Sequence, residues 1–434
     1  MHQPEQVTHT MINLRDRLSL YLGWFDDDRH RRAVLIGLLV VAFVLRLTAV
    51  LILPIDYRFR ADAVEYVSVA NNLLAYGVFG EEAGVPYAVI PPGYPLFIAG
   101  VFALIGRSLL AVQLAQVVLG VGIVWLTYLA GKSAFSARVG LGAALICALY
   151  PAFIIYVVPY LTETLYTILA LFFLLYFARS FKEPSVKHTL LAGVGFWLSI
   201  LTREALIAFP LALPILFGWA RLSLRQTLRY LVVFAIVVLL VISPWLARNY
   251  WTFGQVFYTE RTDAIRYQLT GDGYLSPRYE HLAAGNTIPP SESPELAEYY
   301  QKYGRESDLR SISYAINNPG TYIRYIFLQL VEFWLHPSGL LSLPNIFAVR
   351  AGYIAVHVGM LGLALWQMVA NLRQRDAVTG GLVVMLLYVT AVGVFVMRTN
   401  PRYNLPFLPI VFIFTVRGVL ILLERFTSRR PAPA

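Results

Sequence analysis

Long apolar runs separated by short polar stretches recur along the whole chain. A hydrocarbon core about 30 Å thick takes about 20 apolar residues of helix to cross. Ten runs bounded by charges or proline approach that length: 33–54, 109–131, 139–159, 164–177, 189–201, 205–219, 230–247, 351–370, 378–396 and 405–423. Two others, 92–105 and 322–335, are too short to span and read as interfacial or re-entrant helices. The expected fold class is an all-α integral membrane protein, a multi-span bundle of about 10 to 12 membrane helices with amphipathic juxtamembrane helices and a large outer loop.

The cations between the runs set an orientation. With a cytoplasmic N-terminus, the inside segments collect Arg29, Arg31 and Arg32, then Lys132 and Arg138, then Arg179, Lys182 and Lys187. Arg221, Arg225 and Arg229 follow, then Arg373 and Arg375, and finally Arg425, Arg429 and Arg430. The short outside connections carry only Arg203, Arg398 and Arg402, as the positive-inside rule requires. The chain then divides into a cytoplasmic segment 1–32, a membrane module 33–247 containing outer loop 55–108, a large outer loop 248–350, C-terminal membrane helices 351–425 and a cytoplasmic tail 426–434. The first run is too long for a signal-peptide core and reads as an uncleaved anchor.

Composition agrees with this reading. Of 434 residues 58% are hydrophobic and 14% charged, where soluble domains carry about 25% charge. The formal net charge of +10 is largely accounted for by topology, so nucleic-acid binding is not expected. One cysteine, Cys147, excludes an intramolecular disulfide. No glycine-rich nucleotide loop is present, which disfavours a nucleotide-driven pump.

Polar length placed on one face directs attention there. In RADAVEYVSVANNLLAYG, Ala63, Val67, Ala70 and Leu74 recur at helical spacing, predicting an amphipathic helix over 62–75. Asp62, Glu65 and Tyr66 share one of its faces. Asp62 and Glu65 also fit a capping box, and a cap residue still has a fixed position from which to accept a proton. PPGYPLFIAG, 91–100, is a rigid corner without chemistry of its own. Glu163, where the third span turns back, suits an aqueous cavity or a helix N-terminus. Arg203 sits beside Glu204, a pair able to neutralise itself, yet its planar fork suits a phosphate. Arg398 and Arg402 flank the last outer turn. Three arginines and two or three acids thus converge on one face.

Other polar residues read as structural. Arg46 and Arg417 lie inside spans and are expected as bundle partners or lipid-headgroup contacts. Glu332 and His336, four apart, are expected to share a hydrogen bond rather than a metal. Tyr258, Tyr267, Tyr274, Tyr279, Tyr299 and Tyr300 suit stacking on sugar rings and equally a membrane-interface belt.

An outer loop with Asp62 and Tyr66, then ANNLLAYG and PPGYPLF, resembles bacterial GT-C glycosyltransferases. The nearest group is the dolichyl-phosphate-mannose protein mannosyltransferase-like one, which includes the lipid A aminoarabinose transferases. The likeness extends to LTE at Glu163, LTRE at Arg203, PWLARNYWTFG at 244–254 and PRYNLPFLP near the C-terminus, covering about 33–425. It implies an inverting enzyme of a bacterial plasma membrane that moves a sugar from a polyprenyl-phosphate donor to a glycan, lipid or protein acceptor on the extracytoplasmic face, with its lipid tail among the spans. By similarity Asp62 is the catalytic carboxylate; Glu65, Tyr66, Glu163, Arg203, Arg402 and Tyr403 are the expected substrate contacts. In the common family pattern an acid directly follows that Asp; here Ala63 follows and Glu65 is the next acid. No metal ligand is assigned, and a divalent cation is left open. The competing reading is a transporter or flippase, against which stand the absent repeat symmetry and the lack of paired broken helices. A non-catalytic envelope scaffold is the third.

Overall fold

The structure is a computed structural model that describes residues 27–54, 62–183, 185–219, 223–260, 316–338, 346–373, 376–396 and 401–428. Among the described residues every regular element is helical. The first half holds α1 (Asp28–Ile52), α2 (Ala63–Tyr76), α3 (Gly93–Ile105), α4 (Leu109–Ala134), α5 (Ala137–Leu149), α6 (Pro151–Ile155), α7 (Glu163–Lys182), α8 (Val186–Thr202), α9 (Leu213–Trp219) and α10 (Leu224–Phe253). The second half holds α11 (Pro319–Leu335), α12 (Phe347–Leu372), α13 (Ala377–Ala391) and α14 (Leu408–Ser428). A π-turn over Val392–Val396 continues α13, and 3-10 turns over Pro401–Tyr403 and Leu405–Phe407 lead into α14.

The helix ends follow from local chemistry. Ser108, Ser136 and Asp376 stand at N-caps and accept from the backbone N–H of Ala111, Val139 and Thr379, satisfying donors the helix leaves open. Ser223 and Gln226 form a capping box at the start of α10. Gly77 and Gly254 close α2 and α10 in the left-handed conformation, where glycine carries no Cβ penalty.

Seven helices among the described residues are long and apolar enough to cross a membrane: Asp28–Ile52, Leu109–Ala134, Glu163–Lys182, Leu224–Phe253, Phe347–Leu372, Ala377–Phe395 and Leu405–Phe426. These take up seven of the ten expected runs. The other three differ. The run at 139–159 breaks after Leu149, because Pro151 cannot continue a helix and starts the short α6. The run at 189–201 forms α8, which at 17 residues stays below the length of a full span. The run at 205–219 divides into 3-10 turns over Glu204–Leu206 and Phe209–Ala212 before the seven-residue α9, with Pro210 inside the second turn. Of the two runs expected to be short, 92–105 is α3 and 322–335 lies in α11.

The centre of the bundle is α7, which packs against α4, α8, α13 and the turn Leu405–Phe407. Phe173, near its midpoint, is fully buried against Phe196, Phe209 and Phe234. The α4–α5 pair is closer than ordinary side chains permit: a Cβ on Gly140 would stand 2.4 Å from the Tyr128 carbonyl oxygen. Small residues at such contacts are how membrane helices gain dispersion energy where lipid offers no hydrophobic drive. Val40, Val44, Leu239 and Leu240, by contrast, are exposed on α1 and α10, as lipid-facing positions should be. Arg46 is fully buried on α1, and its guanidinium donates to the carbonyls of Ala42, Cys147 and Ala148. It satisfies the last carbonyls of α5 where the helix breaks, which is the structural role expected of it.

Candidate active site

The two ends of α7 define the two ends of the bundle. Lys182 near its C-terminus donates to the Ser133 carbonyl, while Glu163 at its N-terminus gathers the residues of interest. Glu163 is 1% exposed. Its Oε1 is 3.2 Å from Arg203 Nη1 and 3.5 Å from Arg402 Nε. Arg203 closes α8, and its Nη1 also donates to Thr162 Oγ1 at 3.5 Å. Arg402 sits on the 3-10 turn before α14, and its Nη2 reaches Asp62 Oδ2 at 3.3 Å. Four charged residues from four separate elements therefore form one cluster of zero net charge.

Tyr403 joins the arginines from the side. Its ring centroid is 4.2 Å from the Arg203 guanidinium carbon and 5.4 Å from that of Arg402, within cation–π range. Burial pulls both guanidinium pKa values down, and Glu163 and Tyr403 outweigh it, so each ends above its ordinary value. Their mutual repulsion works the other way on Arg203 and does not prevail. Both side chains therefore remain cations at any working pH.

The remaining expected residues flank this cluster. Asp62 occupies the N-cap position of α2 but makes no capping bond with its side chain. The expected Asp62–Glu65 capping box is thus not formed, and the carboxylate that would close the helix is turned to Arg402. Glu65 accepts instead from the Tyr87 hydroxyl. Tyr66 is buried, its ring edge-on to Tyr94 at 5.2 Å. The Tyr94 hydroxyl donates to Gln116 Oε1, and Gln116 Nε2 donates to the carbonyls of Val157 and Pro159. The first loop and the broken end of the α5–α6 region are fixed to each other by this chain of bonds.

Two further expectations are corrected. Arg203 does not neutralise itself on Glu204: it pairs with Glu163, and Glu204 accepts from Thr259 Oγ1. Tyr258 is not an open stacking surface, because it is buried with its hydroxyl donated to the Ile200 carbonyl. Arg398 and the tyrosines at 267, 274, 279, 299 and 300 lie outside the described residues. The Glu332–His336 hydrogen bond forms as expected, at 3.1 Å. Arg417 lies over the Phe135 ring at 5.6 Å.

Arg248 was not singled out by the sequence and proves central to the loop. Its Nη1 and Nη2 donate to the carbonyls of Tyr87 and Phe79, and its guanidinium lies over the rings of Phe79, Trp245 and Phe253. A cation among aromatics at the end of a span was the signal available for it. Asn249 beside it donates to the carbonyls of Phe257 and Tyr258, and Glu260 N–H donates to the Ala88 carbonyl. Together they bind the chain after α10 onto the first loop.

A narrow cleft opens beside Arg203 and Tyr403, walled by Tyr166, Phe333, Val392 and Phe407. Val392 belongs to the π-turn, an irregularity often found at functional sites. Among the described residues no group of three or more His, Cys, Asp or Glu stands together to hold a metal ion.

The bundle matches solved structures over nearly its whole length. It superposes on the archaeal oligosaccharyltransferase AglB from Archaeoglobus fulgidus, in complex with an inhibitory peptide and a dolichol-phosphate, with a TM-score of 0.57 at 14% identity. The chain has the GT-C fold. That match covers 95% of this chain and 53% of AglB. An Archaeoglobus fulgidus oligosaccharyltransferase in complex with Zn and sulfate gives a TM-score of 0.55 at 12% identity, covering 90% of this chain and 49% of the other. The chain thus spans about half the length of these GT-C relatives. ArnT from Cupriavidus metallidurans bound to undecaprenyl phosphate gives a TM-score of 0.46 at 16% identity, covering 89% and 77%. Residues 89–248 match the family model of dolichyl-phosphate-mannose-protein mannosyltransferase. That stretch contains Glu163, Arg203 and Arg248 and leaves out Asp62 and Arg402. No curated protein sequence matches the chain.

Proposed function

We propose that the chain is an inverting membrane glycosyltransferase that takes a sugar from a polyprenyl-phosphate donor and passes it to a glycan, lipid or protein acceptor on the extracytoplasmic face of a bacterial plasma membrane. The observation that carries the reading is the cluster of Asp62, Glu163, Arg203 and Arg402 at one end of a GT-C bundle. The family match over residues 89–248 supports it.

Asp62 is the general base in this reading. Its side chain is 35% exposed, so an acceptor hydroxyl can reach it, while Glu163 is enclosed. The acceptor oxygen attacks the anomeric carbon and gives its proton to Asp62. The bond from that carbon to the phosphate oxygen breaks, and the electron pair leaves with the polyprenyl phosphate. One direct displacement inverts the anomeric centre. Arg203 and Arg402 stand ready to neutralise the departing phosphate, with positions already fixed by Glu163 and Tyr403. Glu65, Tyr66 and Tyr403 form the polar and aromatic surround in which the sugar binds. The polyprenyl tail lies among the membrane helices.

The test is sugar release from a set of radiolabelled polyprenyl-phosphate monosaccharides by purified protein in nanodiscs, with crude envelope supplied as acceptor. Release from at least one donor is expected. No release from any of them would contradict the proposed reaction.

A further inference from the structure

We infer that Arg402 is the protein's own cation between Asp62 and Glu163, and that this site works without a divalent metal ion. The inference rests on the function proposed above only for the reaction it serves. Its basis is who holds the acidic oxygens. Asp62 Oδ2 is 3.3 Å from Arg402 Nη2, and Glu163 Oε1 is 3.5 Å from Arg402 Nε and 3.2 Å from Arg203 Nη1. One guanidinium therefore bridges two carboxylates that enter from separate helices, α2 and α7.

A hard divalent ion at this place would take carboxylate oxygens at about 2.0–2.6 Å. Asp62 Oδ2 already faces Arg402, and Glu163 Oε1 faces both Arg402 and Arg203; Glu163 Oε2, enclosed without a hydrogen-bond partner among the described residues, is one oxygen where an ion needs several. Among the described residues no third acidic ligand stands beside these two. Glu65, the acid on α2, accepts from the Tyr87 hydroxyl, and no group of three metal-ligating side chains stands together among the described residues.

Charge balance points the same way. Asp62 and Glu163 are matched by Arg203 and Arg402, and the side chains of Glu163, Arg203 and Arg402 are 1%, 16% and 15% exposed. A divalent ion would add two uncompensated positive charges to a site largely removed from water, beside two fixed cations. Arginine suits the bridging role where lysine would not, because its planar fork presents several donors to oxygens on different elements.

The turn that carries Arg402 is itself anchored. Asn404, two residues on, is fully buried, donates its amide to the Phe333 carbonyl and accepts from Ser338 Oγ. The guanidinium is thus delivered from a backbone fixed to α11.

The experiment has two readouts. Wild-type protein purified through EDTA is titrated with Mn2+, followed by electron paramagnetic resonance and by elemental analysis, and donor cleavage is measured with EDTA and with added Mn2+. The expected result is no stoichiometric ion, and cleavage unchanged within about twofold. A bound ion at one per chain, or a loss above about tenfold in EDTA that Mn2+ restores, overturns the inference and leaves the glycosyltransferase reading standing. Absence of cleavage under every condition overturns that reading, while the Mn2+ titration still decides the inference. Arg402→Ala frees the facing carboxylates and is expected to bind Mn2+ at least about tenfold more tightly than wild type. Equal, weak binding by a folded Arg402→Ala protein overturns the inference; if that variant does not fold, the wild-type titration decides alone.

Discussion

Arg402 Nη2 and Asp62 Oδ2 are 3.3 Å apart in space and 340 positions apart in sequence. The bond ties the start of the first amphipathic helix, α2, to the turn that opens the last membrane helix, α14. Through Arg402 Nε the same side chain reaches Glu163 on α7, the central helix. The orientation of the first loop thus depends on the C-terminal part of the chain, and the proposed base is aimed by a residue no local pattern connects to it.

Glu163→Ala should be costly to stability as well as to turnover. Glu163 is enclosed, and its loss leaves Arg203 and Arg402 without their shared carboxylate. Breaking a buried pair by removing one partner is strongly destabilising, and about 3 kcal/mol is expected. The check is an apparent melting temperature in detergent, with donor cleavage assayed on the folded fraction. An unchanged melting temperature would contradict the shared ion-pair role.

Arg46→Ala separates structure from chemistry. Its guanidinium serves the carbonyls of Ala42, Cys147 and Ala148 in a fully buried place. Removing it leaves buried acceptors unsatisfied and opens a cavity, at a cost of about 3 kcal/mol. Donor cleavage per folded molecule should remain at the wild-type level. Loss of cleavage in a protein of normal melting temperature would place Arg46 on the substrate path.

The rigid corner PPGYP positions the site through Gly93. A Cβ there would meet the Leu201 carbonyl oxygen at 2.6 Å and Thr202 N at 2.9 Å, at the end of α8 and directly before Arg203. Gly93→Ala is expected to destabilise by about 1–3 kcal/mol, as overpacking does, and to reduce donor cleavage by displacing Arg203. Gly100→Ala, on the same helix, meets nothing within 4 Å and is the control. Equal behaviour of the two variants, read by melting temperature and cleavage, would show that the close approach has no consequence.

Which charged residues gather at one end of the bundle was largely legible in the sequence, and how they pair was not. Asp62, Glu163, Arg203 and Arg402 stand out because a charge at the end of an apolar run has few places to go. Sequence spacing reports neighbours three or four apart, so it suggested a capping box for Asp62 and Glu65 and self-neutralisation for Arg203 and Glu204. The structure satisfies these groups through distant partners: Arg402, Tyr87, Glu163 and Thr259. Hydropathy likewise located the membrane segments but read 139–159 and 205–219 as continuous, because apolar content does not report where Pro151 and Pro210 interrupt the helix. Arg248 was passed over because its three aromatic neighbours and two carbonyl acceptors assemble only when the loop folds back on α10.

The most direct test of the central claim compares wild type with Asp62→Asn in sugar transfer from the polyprenyl-phosphate donor that wild type cleaves. Asparagine keeps the size and can still accept from Arg402 but cannot take a proton, so the melting temperature should change little. Transfer is predicted to fall by about 10²–10⁴-fold, the range a positioned base supplies. Near-normal transfer by a folded Asp62→Asn protein would contradict the assignment of Asp62 as the base.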